Sequence, residues 1–191
     1  MVAARLEAFS DAVIAVIITI MVLEMKAPIG DEPSVLLPLV PVFLTYVLSF
    51  VYLGIYWNNH HHLLKGVKQV TGRVMWSNLL LLFWLSLIPF FTAWLGENHG
   101  SAWPTALYGV DLLLCALSYT ALQWAIVCQH GKGSKLAESI GRDWKGRFSV
   151  AAYIAAIGFA PFFQVVSDVL FVVVAVIWFI PDRRMKVVVH E

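Results

Sequence analysis

The chain has 191 residues, of which 60% are hydrophobic and 13% charged, with a net charge of +1 and a mean hydropathy of +0.79. Soluble domains carry roughly 45–50% apolar and about 25% charged residues, so a water-soluble fold is excluded. The expected molecule is an all-α integral membrane protein, one transmembrane domain over residues 1–191, and its near-neutral charge leaves no basic surface for nucleic acid.

Six apolar segments are candidate spans: residues 9–26, 36–57, 76–95, 105–128, 148–163 and 165–180. In lipid each must satisfy its own backbone, so each reads as a helix. The first could be mistaken for a secretory leader. Ser10, Asp11 and Glu24 interrupt it, no Ala-x-Ala-like site follows, and it is read as retained. The second opens on Pro38 and Pro41, where proline is tolerated. The third carries Pro89 near its end as an expected kink. The last two are short, separated by Pro161 and the stretch 164–168. No internal repeat or linker divides the chain.

Twelve of the 13 Lys and Arg fall on one side of this six-span plan: Arg5; Lys65, Lys68 and Arg73; Lys132, Lys135, Arg142, Lys145 and Arg147; Arg183, Arg184 and Lys186. Only Lys26 is opposite, so both termini are expected in the cytoplasm. Trp57, Trp76, Trp94, Trp103, Trp144 and Trp178 lie near span ends, as an interfacial aromatic belt requires. Cys115 and Cys128 share one apolar segment, too far apart along it for a disulfide, and are expected to be inert.

The first span carries the most information. At ~100° per residue, Val16, Ile20 and Leu23 share a stripe with Thr19 at its edge, while Asp11 falls about 140° from Val16 and about 180° from Ile20. An acid at that position needs donors from other helices. Candidates at the same depth are Arg5, Asn58, Asn59, Asn78, Trp57, Trp76 and His60, His61 or His62. Asp11 then serves as a lock between helices or as an ion or proton site. For the apolar stripe the plainer alternative is lipid contact or helix packing.

Asn58-Asn59-His60-His61-His62 invites a metal reading, but consecutive helical residues fan apart and cannot converge on one ion, so no metal or other cofactor is expected. Asp111 is close enough to its helix end to reach water, and Asp168 opens the sixth span. No nucleophile, base or metal set stands at membrane depth, which argues against an enzyme. A proton- or ion-coupled secondary transporter using Asp11 remains as an alternative, although such carriers usually show internal repeats.

Arg5-x-x-x-Phe9-Ser10-Asp11 at the head of the first span resembles the motif of the transmembrane protein 175 family of endosomal and lysosomal potassium channels. Ser49-Phe50 with Tyr56-Trp57-x-x-His60-His61 is similar to the family's second-helix ending, and Asn78 before a Leu-rich run to Pro89 is similar to its third helix. The resemblance implies a short bacterial six-helix member in the cell membrane, a potassium-permeable homotetramer with the first helix lining a central pore. Carried across, Val16, Ile20 and Leu23 face the pore as an apolar gate, and Val16 and Thr19 contribute to selectivity. Val stands where the family usually has Ile or Leu, so Ile20 is a candidate for the narrower ring. Arg5, Phe9, Ser10, Asp11, Trp57, His60, His61 and Asn78 form the supporting network. No Thr-Val-Gly-Tyr-Gly filter is present. Glu24, beyond the stripe, would form an outer acidic ring, unless it pairs with Lys26.

Overall fold

The computed structural model describes residues 2–65, 67, 69–130 and 143–179, with the side chain of His130 left aside. Among the described residues seven α-helices follow one another: α1 (Ala3–Leu23), α2 (Val40–Lys65), α3 (Gly72–Leu85), α4 (Ile88–Glu97), α5 (Ala102–His130), α6 (Trp144–Phe159) and α7 (Gln164–Phe179). A 3-10 helix, Pro33–Leu39, leads into α2. Among the described residues the sole β-type pairing is an isolated bridge between Val2 and Gln69.

Helices lie in all six expected segments, with α3 and α4 together making the third. That span, expected at 76–95, is broken at Ser86–Leu87. Pro89 explains the position. Its ring would clash with the carbonyl four residues back, on Leu85, the last residue of α3. The break is fully bonded: Ser86 N–H reaches Leu82 O at 3.0 Å, Leu87 N–H reaches Trp84 O at 3.0 Å, and Ser86 Oγ donates to Phe83 O at 2.7 Å. Four stretches are long and apolar enough to cross a bilayer, namely Ala3–Leu23, Pro33–Lys65, Gly72–Glu97 and Ala102–Gln129. α6 and α7, at 16 residues each, reach roughly 24 Å at 1.5 Å per residue.

The helices alternate in direction, so the bundle has two ends. Val2, the end of α2, the start of α3, the end of α5 and the end of α7 share one, called here the terminal end. The other is the far end. Lys26 pairs with Glu97 across the far end at 3.1 Å. At the terminal end Gln129 Nε2 donates to Gln69 O at 2.6 Å, and Lys145 Nζ donates to Ile177 O at 3.1 Å. Of the described basic residues, Arg5, Lys65, Arg73, Lys145 and Arg147 belong to the terminal end and Lys26 to the far end. Lys68, Lys132, Lys135, Arg142, Arg183, Arg184 and Lys186 lie outside the described residues, as does residue 180 at the end of the sixth expected span.

α1 lies against α2, α3 and α4, while α5 joins α3 and α4 to the α6–α7 hairpin. Close approach depends on missing side chains. A Cβ on Gly96 would come within 2.9 Å of Val42 Cα, and one on Gly109 within 3.0 Å of Ile157 Cγ1 and 3.1 Å of Phe171 Cζ. Small residues at crossings are how membrane helices gain dispersion contact without a hydrophobic driving force. A polar junction tightens the centre: Thr92 Oγ1 donates to Ser49 Oγ at 2.7 Å, and Ser49 Oγ bonds the Tyr108 hydroxyl at 3.0 Å, linking α4, α2 and α5.

Candidate pore-lining helix and its anchor

α1 buries Ala3, Leu6, Ser10, Ile14, Ile17 and Met21. These recur every three or four residues, the spacing of one helical face. The opposite face carries Val16, Thr19, Ile20 and Leu23. Val16 is 55%, Ile20 40% and Leu23 78% exposed in the single chain. Thr19 Oγ1 donates to Val16 O at 2.8 Å. That bond uses the hydroxyl proton, so the oxygen lone pairs are left facing away from the helix. Glu24 caps α1 through its backbone N–H and is exposed. Its suggested partner Lys26 is bound to Glu97 instead.

The rotation of α1 is set by polar contacts at the terminal end. Ser10 Oγ donates to Leu6 O at 2.8 Å, and Asn78 Nδ2 donates to Ser10 Oγ at 2.9 Å. Asn78 Oδ1 then accepts from His60 Nε2 at 2.6 Å. Each proton in this chain has one direction, which puts the His60 ring proton on Nε2 and leaves Nδ1 without a partner. Ser10, His60 and Asn78 are wholly buried, so α1, α2 and α3 are tied by a run of bonds with no water to substitute for them.

Two further rungs join α1 to α2 alone. Trp57 Nε1 donates to Asp11 Oδ1 at 3.0 Å, and His61 Nδ1 meets Glu7 Oε1 at 2.6 Å. The Trp57 and His61 rings stack with centroids 6.2 Å apart. Of the several donors available to Asp11, the fold selects the indole. The histidines diverge as the helix geometry requires: His60 turns to Asn78, His61 to Glu7, and His62 Nδ1 has no hydrogen bond among the described residues.

Sequence reasoning did not single out Glu7. A signal for it exists: Glu7 and Asp11 are four apart on α1, and Trp57 and His61 are four apart on α2, so the two pairs can meet as a ladder. Arg5 and Phe9 are not drawn into this network. Arg5 is exposed with no side-chain bond among the described residues, and Phe9 is 51% exposed on the outer face. Asp111 departs from expectation in the other direction. It does not reach water: it is 1% exposed, and both carboxylate oxygens lack a hydrogen bond among the described residues. Position along the helix suggested access, but the side chain is buried inside the packed bundle.

Comparison with known proteins bears on this arrangement. The family model for the endosomal/lysosomal potassium channel TMEM175 matches residues 5–89. A potassium channel of Chryseobacterium sp. (strain P1-3) is 48% identical over 182 residues, which cover 95% of each chain. The chain belongs to the TMEM175 family. A potassium channel of Streptomyces collinus is 37% identical over 128 residues, 63% of this chain and 62% of its own length. The crystal structure of a lysosomal potassium-selective channel TMEM175 homolog from Chamaesiphon minutus aligns with a TM-score of 0.77 at 26% identity, over 93% of this chain and 96% of that one. The family match begins inside α1 and ends at Pro89, and so includes Glu7, Ser10, Asp11, Trp57, His60, His61 and Asn78. The family is one of potassium channels, not a class of enzymes.

Proposed function

We propose that this protein is a potassium-permeable cation channel of the cell membrane, a homotetramer with both termini cytoplasmic and with α1 from each copy lining the central pore. The observation that carries the reading is the rotational setting of α1. Its inner face is locked by Ser10–Asn78–His60, Asp11–Trp57 and Glu7–His61, and that lock leaves Val16, Thr19, Ile20 and Leu23 together on the open face. The bias of described basic residues to the terminal end supports the orientation.

Four copies of the open face would form rings of Val16, Ile20 and Leu23. A narrow apolar neck holds no continuous water, so such rings close a pore by dewetting without a carbonyl filter. Opening would rotate or splay α1 against its anchor. Preference for potassium over sodium would follow from easier dehydration of the larger ion, helped by the outward lone pairs of Thr19. Glu24, which is not paired with Lys26, would add an acidic ring that concentrates cations.

The test is potassium flux into proteoliposomes holding the full chain, under potassium and sodium gradients, for wild type, Ile20→Asn and Val16→Asn. Non-saturating flux that rises in the variants supports an apolar gate on α1. Flux that saturates and requires a co-ion would overturn it in favour of a carrier working through Asp11.

A further inference from the structure

Between α2 and α7 runs a trough of about 660 Å³. Its walls are Leu44, Leu48 and Val51 on one side and Val172, Val176 and Phe179 on the other. Its polar residues gather mainly at the far end, where His99, Gln164 and Asp168 border it. The floor is firm: the Tyr52 hydroxyl donates to Phe171 O at 2.6 Å, and the Phe171 ring meets Tyr108 edge-on at 5.2 Å. From Asp168 to Phe179 the α7 wall rises through roughly 16 Å at 1.5 Å per residue.

An occupant of this trough must be amphiphilic, apolar along its length and polar at the far end. Charge then selects between the bilayer and a second copy of the chain. Asp168 is exposed and has no hydrogen bond or ion pair with any described residue. Among the described residues, the far end of another copy offers one Lys or Arg, Lys26, and that cation is bound to Glu97. A phospholipid with an ammonium headgroup brings its own cation, and its phosphate can accept from the His99 ring and the Gln164 amide.

We infer that the α2–α7 trough is a phospholipid site, with one acyl chain laid along Leu48, Val172 and Val176 and an ethanolamine-type headgroup held at Asp168, Gln164 and His99. The site is remote from the α1 face and stands whether or not α1 lines the pore.

The test is native mass spectrometry of the full chain after incubation with mixed micelles of phosphatidylethanolamine and phosphatidylglycerol in equal amounts. Wild type should retain phosphatidylethanolamine in preference. Asp168→Asn should keep lipid but lose the preference by about tenfold, the scale of one charge-assisted contact. Val172→Trp, which fills the trough, should lose the bound lipid, and Val176→Phe serves if that variant does not fold. Val173→Trp, on α7 but outside the trough, should retain it. Equal retention by Val172→Trp and wild type, or no headgroup preference in wild type, overturns the site. So does short bismaleimide cross-linking of Val172→Cys between copies in a Cys128→Ser background, since it would seat a second copy there.

Discussion

The two faces of α1 differ in what specifies them. The inner face is held by polar geometry: Asn78 both donates and accepts, and its two bonds fix the relation of three helices. The outer face makes no such demand. Thr19 closes its hydroxyl on its own backbone, and the remaining side chains there are apolar. A helix built this way can tolerate change on one face and not on the other. That asymmetry suits a moving part: the anchor defines the resting rotation, and the open face carries whatever surface the resting state needs.

The sharpest way to break the contrast is to remove the anchor's centre. Asn78→Leu leaves the His60 Nε2–H buried without its acceptor, at about 1–3 kcal/mol, and removes the bond that Ser10 Oγ accepts while its own proton stays on Leu6 O, so destabilisation of about 2 kcal/mol or more is expected in detergent unfolding. A shift well under 1 kcal/mol would mean that α1 is not held by this chain of bonds. On the open face the expected response is functional. Ile20→Asn should leave unfolding unchanged and raise potassium flux on the order of tenfold, the effect of ~1.4 kcal/mol off a barrier. Loss of stability instead would return Ile20 to ordinary packing.

Trp57→Phe keeps the ring but deletes the donor to Asp11. Because that bond is partly exposed, a cost of about 1 kcal/mol is expected, smaller than for Asn78→Leu. If the two variants cost the same, the buried chain and the exposed rung are not distinct. The smallest effect belongs to Thr19→Ala. Stability should stay within about 0.5 kcal/mol. The potassium-to-sodium permeability ratio should fall, and an unchanged ratio rules out a role for that hydroxyl.

The sequence offered candidate partners for Asp11, Trp57, His60, His61 and Asn78 among them, and the family resemblance added Ser10. Ser10, Asp11, Trp57, His60, His61 and Asn78 stand at one depth because they sit at corresponding helix ends, and depth follows from hydropathy. Pairing was not legible. Asp11 had several donors in reach, and the choice of Trp57 depends on how α1 is rotated against α2. Glu7 was hidden for the same reason: it precedes the apolar run, and its value appears only when His61 faces it. Lys26 shows the limit clearly, since the neighbour in sequence, Glu24, lost to Glu97, brought beside it by α4. Asp111 shows it again, because distance from a helix end says nothing about which neighbours cover a side chain.

Composition and periodicity determined that the chain is an apolar helical membrane protein, where its helical segments lie, and at which end the described basic residues gather. These are one-dimensional properties: hydrophobic transfer acts segment by segment, and proline acts within its own turn. Tertiary structure alone decided that Asn78 is the centre of the anchor, that Asp111 is sealed, and that a trough opens between α2 and α7. Each of these depends on directional bonds or on close-packed shape between segments far apart in the chain, and neither is encoded in the local order of residues.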